Sequence, residues 1–212
     1  MKITILYDNS IFKEGLLPDW GFAAFIEFQN KKILFDTGGN GRILLSNMKK
    51  MNISPREVDE IFLSHHHFDH IGGLSAFLNK NNNVTVYAPS SLRGIKNAAK
   101  LKYIDTSTEL HENIYSTGEL AGIEQSLLLK TDKGIVIIAG CSHPGLESII
   151  KTATAYGRPY AVIGGFHGFD NYPVLQDLKL VCPTHCTMHI KEIKEMYRDK
   201  YVKGGAGRII KI

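Results

Sequence analysis

The fold is decided by one ten-residue stretch, Ser64-His65-His66-His67-Phe68-Asp69-His70-Ile71-Gly72-Gly73. The apolar residues before it predict the end of a buried strand, and residues 71–78 have the apolar spacing of a helix. Histidines clustered at such a turn would be costly in a core, because each buried imidazole needs a polar partner. Imidazole and carboxylate are, in contrast, the usual protein ligands of zinc, manganese and iron. The stretch therefore predicts a divalent-metal site.

Composition limits the classes of protein to which the chain can belong. Of its 212 residues, 43% are hydrophobic and 22% are charged, which is ordinary for a globular protein with a sizeable core. The net charge of +4 is mild and no run of Lys or Arg exceeds two residues, so we expect no nucleic-acid partner. Three cysteines are too few for a disulfide framework and fit a reducing compartment. With no signal peptide and no apolar run of about 20 residues, we expect a cytoplasmic protein without a membrane partner.

Hydrophobic periodicity predicts an alternation of strands and helices without a linker, so we expect one domain over residues 1–212. Strands are predicted at residues 2–7, 22–28, 32–35, 60–64, 84–88, 125–129, 135–139, 160–163 and 208–212. Helices are predicted at residues 42–51, 71–78, 90–101, 146–155 and 190–200. A capped helix start is predicted at Ser54-Pro55-Arg56-Glu57. Residues 102–124 give a weak signal, typical of short strands and loops.

Metal-competent side chains recur where predicted strands end, namely at Asp36, His65–His70, Cys141 and His143, His167, and His185. Strand ends in a layered α/β fold converge on one edge of the sheet. In an extended segment, residues i and i+2 point the same way, so His65 and His67 can face one metal. Asp69 and His70 lie where the chain turns into the helix, and can face a second metal. The donors still missing would come from His143 and His185.

The hexapeptide His65–His70 resembles the His-x-His-x-Asp-His hallmark of the metallo-β-lactamase superfamily, and Asp36-Thr37-Gly38 resembles its Asp-x-Gly motif. Other segments resemble one branch, the 7,8-dihydropterin-6-methyl-4-(β-D-ribofuranosyl)-aminobenzene-5′-phosphate synthases. These segments are Asp8-Asn9, Trp20-Gly21-Phe22, Gly72-Gly73-Leu74, Gly140-Cys141-Ser142-His143-Pro144-Gly145, Gly164-Gly165-Phe166-His167 and His185-Cys186-Thr187. Where many superfamily members carry a bridging Asp, this chain reads Gly140-Cys141.

The resemblance implies an α/β fold, a four-layer αββα sandwich with a binuclear metal site at one edge of its two sheets. The implied cofactors are two divalent ions, with zinc expected first and manganese or iron as alternatives. The implied ligands are His65, His67 and His143 for the first ion, and Asp69, His70 and His185 for the second. Asp36 would hydrogen-bond a ligand imidazole.

Asp69 and His167 are the candidate catalytic residues. His167 has three open roles, as a metal ligand, a general acid or a group that holds a substrate phosphate. The remaining histidines of the motifs, His66 and His189, are expected to be structural or to contact a ligand residue, rather than to bind a metal. Trp20 is expected in the core, although its place in a loop would also suit the wall of a pocket.

The implied function is that of a metal-dependent hydrolase or transferase acting on a small, anionic, phosphorylated or pterin-like metabolite. One such reaction condenses a dihydropterin diphosphate with a ribofuranosyl-aminobenzene phosphate, and another hydrolyses a phosphoester, lactone or thioester. The alternative is a non-catalytic or single-metal sensor of the same fold. A nuclease ranks last, because the chain has no basic stretch to follow a phosphate backbone.

Overall fold

Two mixed β-sheets pack face to face in the computed structural model, which describes residues 1–212. The first sheet contains β1 (Lys2–Tyr7), β2 (Ala23–Phe28), β3 (Lys31–Phe35), β4 (Glu60–Phe62), β5 (Thr85–Pro89), β6 (Lys100–Ile104) and β13 (Ile209–Lys211), in the order β13-β1-β2-β3-β4-β5-β6. The second contains β7 (Thr106–His111), β8 (Ile114–Gly118), β9 (Leu127–Thr131), β10 (Gly134–Ala139), β11 (Pro159–Gly165) and β12 (Leu180–Thr184), in the order β12-β11-β10-β9-β8-β7.

Helices cover the outer face of each sheet. They are α1 (Gly41–Lys50), α2 (Phe68–Ile71), α3 (Leu74–Leu78), α4 (Leu146–Ala153) and α5 (Ile190–Met196), with 3₁₀ turns at Pro55–Glu57 and Tyr172–Leu175. The predicted αββα sandwich is therefore confirmed. None of these helices combines the length and the apolar character needed to span a membrane.

Three hydrophobic clusters hold the four layers together. The central one lies between the sheets, where Ile26 and Phe35 of the first sheet belong to the same cluster as Ile138 of the second. The other two clusters join α1 and α3 to the first sheet, and α4 and α5 to the second. Each fully buried aliphatic or aromatic side chain of this kind contributes about 1.5–3 kcal/mol of transfer free energy.

Strand direction brings the functional segments to one edge of the sandwich. Within the first sheet β3 and β4 are parallel, and within the second β10, β11 and β12 are parallel, so their carboxyl ends lie together in each sheet. Gln125 connects the two edges: its side-chain amide donates to Leu63 O at 2.9 Å, and its backbone N–H donates to Ser64 O at 2.9 Å. The residues that follow β4 therefore meet those that follow β10–β12.

Two helix predictions need correction. The helix predicted at residues 71–78 is divided into α2 and α3, because the loop after β3 passes against the break: Thr37 N–H donates to His70 O at 2.8 Å and Gly73 N–H to Gly38 O at 3.0 Å. The helix predicted at residues 90–101 is wrong. That segment is irregular until β6 begins at Lys100 and pairs with β5. The capping box of Ser54 and Glu57 is confirmed.

Candidate metal centre

A first group of donor atoms lies where β4 and β10 end. The side-chain donors of His65, His67 and His143 lie within 4.8 Å of one another, and His67 Nδ1 is 3.1 Å from His143 Nε2. His65 is fully buried, with Nδ1 2.9 Å from Ser64 Oγ and with Nε2 lacking any hydrogen-bond partner. A buried nitrogen without a hydrogen-bond partner is unfavourable unless it binds an ion or a water molecule. The three imidazoles fit a divalent cation.

Burial and mutual repulsion keep this first group neutral. Burial lowers the pKa of His65, and the neighbouring His70 and His143 lower it further. Burial also lowers the pKa of His143, to about 4, with the adjacent His67 and His167 contributing. The pKa of His67 is lowered as well, again chiefly by burial. Neutral imidazoles offer their lone pairs, which is the form that binds a metal.

A second group lies directly beside the first. Asp69 Oδ2 is 3.1 Å from His185 Nε2 and 3.8 Å from His70 Nε2, and the two Nε2 atoms are 3.3 Å apart. Each of these imidazoles is turned by a partner on its other nitrogen: His70 Nδ1 meets Asp36 Oδ2 at 2.7 Å, and His185 Nδ1 meets Asn9 Oδ1 at 3.0 Å. Since the Nδ1 atoms carry the protons, both Nε2 lone pairs face the Asp69 carboxylate. This convergence of acceptor atoms also fits a divalent cation.

The charges of the second group depend on one another. Although burial disfavours the charged form, Asp36 and Asp69 raise the pKa of His70. Burial lowers the pKa of His185, although the adjacent Asp69 carboxylate, which would accept a hydrogen bond from a protonated Nε2, opposes that shift. Although burial disfavours the charged carboxylate, His185 and His70 in their protonated forms lower the pKa of Asp69. A carboxylate that stays ionised is the form suited to a cation.

Two cysteines also lie at this site. Cys141 is buried, with Sγ 3.1 Å from His70 Nε2, and its sulfur lies within 4.8 Å of the donor atoms of His185 and Cys186. The adjacent Cys186 thiol and burial raise the pKa of Cys141. The third cysteine, Cys182, is instead part of the core between the sheets.

Sequence reasoning missed Glu124, the carboxylate that shapes the loop after β10. Oε1 accepts the backbone N–H groups of Gly140, Cys141 and Ser142, and Oε2 accepts that of His143, each at 3.0 Å. Burial raises the pKa of Glu124, and the N–H donors oppose that shift. Glu124 lies in a stretch of weak periodicity and its partners are backbone groups, so no side-chain pattern could have identified it.

Four residues at the site have backbone conformations that are rare outside glycine. Asp36 has φ +52°, Ser142 φ +61°, and His167 and His185 both φ +47°. Each lies within three residues of a strand end. Such residues cost about 1–3 kcal/mol each and cluster at functional sites.

The structure brings all six predicted ligands together, and their role as ligands remains a prediction. His167 is exposed and lies outside both groups, with its ring 5.2 Å from that of His143. His66 and His189 also lie outside them. The expected core position of Trp20 is wrong, since its side chain is 60% exposed and packs edge-on against His185 at 5.0 Å.

Comparison with known proteins assigns the family. The family model described as metallo-beta-lactamase superfamily matches residues 19–138. The chain belongs to the metallo-β-lactamase superfamily. The matched residues contain the hexapeptide His65–His70 and end within β10.

One relative is similar over nearly the whole chain, the 7,8-dihydropterin-6-methyl-4-(β-D-ribofuranosyl)-aminobenzene-5′-phosphate synthase of Methanocaldococcus jannaschii. It is 28% identical, over 98% of this chain and 95% of its own. Ribonuclease Z of Nanoarchaeum equitans is 38% identical, but over only 34% of this chain and 23% of its own. Among solved structures of the superfamily, a metal-dependent hydrolase superposes with a TM-score of 0.81 at 24% identity, covering 100% of this chain and 99% of its own.

Proposed function

We propose that the protein is a metal-dependent enzyme that binds two divalent cations and acts on a small phosphorylated or pterin-like metabolite. The observation that carries the proposal is the convergence of His70 Nε2, His185 Nε2 and Asp69 Oδ2, since the partners of both imidazoles turn these lone pairs towards one point. The group of His65, His67 and His143 lies next to it and adds a second position.

Divalent cations held by these groups would stabilise the negative charge that develops on a phosphate or carbonyl oxygen during the reaction. The residues of the chain do the remaining work. Asp36 and Asn9 fix the orientation of the imidazoles of His70 and His185, so that little reorganisation accompanies binding. His167 stands exposed beside His143, where we assign it the binding of a substrate phosphate oxygen and the transfer of a proton to it.

The surroundings of the two groups support a substrate with a flat ring. A cavity of about 280 Å³ opens beside His143 and His167, and the carboxylates of Glu147 and Asp170 line it. These carboxylates accept hydrogen bonds and suit an N–H-rich edge such as that of a pterin. The synthase of Methanocaldococcus jannaschii, which is similar over nearly the whole chain, is named for a product that contains a dihydropterin.

Large apolar side chains are exposed around the site: Trp20 is 60% exposed, Phe68 73% and Met188 71%. Phe68 lies between the predicted ligands His67 and Asp69 in the chain. Aromatic faces of this kind pack favourably on a planar ring. We therefore favour a pterin-like metabolite over an extended polymer.

The test is turnover by the metal-loaded protein. We expect it to release diphosphate from a dihydropterin diphosphate in the presence of a ribofuranosyl-aminobenzene phosphate, with Asp69→Asn reducing the rate by at least about 100-fold. Asp132→Asn, in an exposed turn, is the matched control. A phosphodiester, a thioester and a lactone are assayed in parallel, and turnover of one of these would indicate a hydrolase.

Two other results would contradict the proposal. Binding of a single ion, without turnover of any compound, would favour the sensor alternative. Cleavage of structured RNA, without action on the small molecules, would favour the nuclease alternative.

A further inference from the structure

We propose that a groove beside α3, on the outer face of the first sheet, is the docking surface for an acidic, amphipathic helix of a partner protein. Three cavities of about 310, 350 and 600 Å³ form this α3 groove. The first two share Leu78 and Asn97, and the last two share Lys80. None of the predicted metal ligands lines the groove, so the proposal does not rest on the metal centre.

An irregular connection leaves the α3 groove open. Strands β5 and β6 are parallel neighbours, and the connection between such strands usually contains a helix that covers the sheet. Here residues 92–99 form neither helix nor strand, and Gly94 and Asn97 have φ +82° and +68°, which a right-handed helix does not accommodate. Both residues line the first cavity together with α3. A helix supplied by a partner would take the place of the missing crossover helix.

The floor of the α3 groove is apolar and recessed. Leu74, Leu78 and Leu92 line it and are 7%, 4% and 5% exposed. No lining residue is one of the large apolar side chains that project into solvent. A bilayer is bound by apolar side chains that project into it, whereas a recessed floor accepts side chains from a partner. The apolar ridge of an amphipathic helix, at positions i, i+3, i+4 and i+7, supplies such side chains.

The charge of the α3 groove selects an acidic partner, because complementary charges speed encounter and exclude wrong partners. Its one acidic residue, Glu57, already accepts hydrogen bonds from Lys32 Nζ and the Ser54 N–H. No aromatic side chain lines the groove to stack on nucleic-acid bases. Four cations line it, and none of them forms an ion pair: Lys49, Lys80, Arg93 and Lys96.

The experiment measures binding of a fluorescent synthetic peptide to the whole protein by anisotropy. The peptide has about 18 residues, or five helical turns, with Leu at helical spacing and Glu on the other faces. We expect it to bind, and to bind more weakly as the salt concentration rises. Two control peptides are expected to bind at least about tenfold more weakly: one with Lys in place of Glu, and one of the same composition with the Leu positions shuffled.

Charge reversal assigns the binding to the α3 groove. The double variant Lys80→Glu, Lys96→Glu is expected to bind the acidic peptide at least about tenfold more weakly, and the lysine peptide more tightly. The matched control is Lys151→Glu with Lys194→Glu, at exposed positions of α4 and α5 beside the second sheet. It makes the same change in net charge and is expected to bind like the unsubstituted protein.

A steric variant keeps the test decisive if the charge-reversed protein folds poorly. Ser75 is exposed on α3 and lines the groove, so Ser75→Trp fills the groove without changing the charge. We expect it to abolish binding of the acidic peptide. Ser148→Trp, at an exposed position of α4, is its control.

Three results would overturn the proposal. The acidic peptide could bind no better than the control peptides, or bind the groove variants as well as the unsubstituted protein. The third is binding of an RNA oligonucleotide, or of phosphatidylserine vesicles, in place of the peptide. Loss of that binding in the Lys80→Glu, Lys96→Glu variant would assign the groove to nucleic acid or to a membrane.

Discussion

Asp36 orients the second group through a single fully buried carboxylate. It accepts the Ser64 N–H on Oδ1 and the Ser64 hydroxyl and His70 Nδ1 on Oδ2, each at 2.7 Å. An amide in this place keeps one acceptor but presents a donor to groups that themselves donate. The geometry of His70 therefore depends on the charge of residue 36 as well as on its shape.

We expect Asp36→Asn to weaken binding of the second divalent ion by about 10–100-fold, because the ligand loses the partner that fixes its tautomer. Binding of the first ion should change less, since Asp36 reaches that group only indirectly, through the Ser64 hydroxyl that lies 2.9 Å from His65 Nδ1. Calorimetric titration with zinc would resolve the two steps, with Asp132→Asn as control. Equal weakening of both steps would contradict this account.

For Glu124→Gln we expect the free energy of unfolding to fall by about 1–3 kcal/mol, because the amide nitrogen leaves at least one buried backbone N–H without an acceptor. Zinc binding at His143 should weaken with it, since Glu124 holds the backbone of that residue. Urea unfolding and zinc titration would measure both effects. Glu119→Gln is a matched control, because Glu119 also accepts a backbone N–H, that of Ser91, but in an exposed hydrogen bond.

At the scale of elements, the break between α2 and α3 keeps the histidine cluster against the loop after β3. A Cβ on Gly73 would lie 2.2 Å from Thr37 O, so a side chain there must push the backbone of this loop away. We expect Gly73→Ala to lower the free energy of unfolding by about 1–3 kcal/mol, as overpacking typically does.

Gly168→Ala provides the comparison for Gly73→Ala, because its Cβ would meet only Met188 Sδ at 3.7 Å, an ordinary contact. Urea denaturation of both variants measures the difference. Equal stability of the two would show that the close approach at Gly73 is relieved by small shifts.

How far the sequence predicts the site depends on whether the information is local. Four of the predicted ligands lie within six consecutive residues: His65, His67, Asp69 and His70. Their division between two groups could therefore be predicted from strand and helix periodicity. The role of Glu124 could not, because its partners are backbone N–H groups brought to it by the packing of the second sheet. The size and apolar character of Trp20 predict a place in the core, whereas in the structure it faces solvent at the site.

Secondary-structure elements can also be predicted where the information is local. The sequence predicts the buried strands and the capping box of Ser54 and Glu57, because each depends only on residues within the element itself. The helix predicted at residues 90–101 does not form, and the last residues of this segment pair with β5 as the start of β6. Strand pairing is decided by tertiary contacts that a local pattern does not contain.

At the scale of the whole molecule, bound metal should stabilise the folded state by mass action. Zinc at 100 times its dissociation constant adds about 2.7 kcal/mol, which in a chain of this size raises the melting temperature by about 5–10 °C. Melting curves with zinc and with a chelator would measure the shift. Magnesium is the control ion, because it prefers oxygen ligands and should have little effect.

Acid should destabilise the metal-free protein. The pKa of His143 is lowered from 6.5 to about 4, and those of His65, His67 and His185 are also lowered, so the unfolded chain takes up protons first as the pH falls below 6.5. The raised pKa values of His70, Glu124 and Asp8 act in the opposite direction, but these are three groups against four. We expect the urea midpoint to fall between pH 6.5 and pH 4. A midpoint that rises over this range would refute the expectation.

The site draws its donors from both sheets, with His70 and His185 separated by 115 residues along the chain. A cation held between them would act as a removable cross-link, closing a loop far longer than any turn and restraining the unfolded ensemble as a disulfide does. Neither half of the chain alone offers the complete set, so full occupancy would have to follow the docking of the two sheets. When metal is scarce, newly made chains would then fold without this cross-link. They would be more susceptible to proteolysis than chains with metal bound.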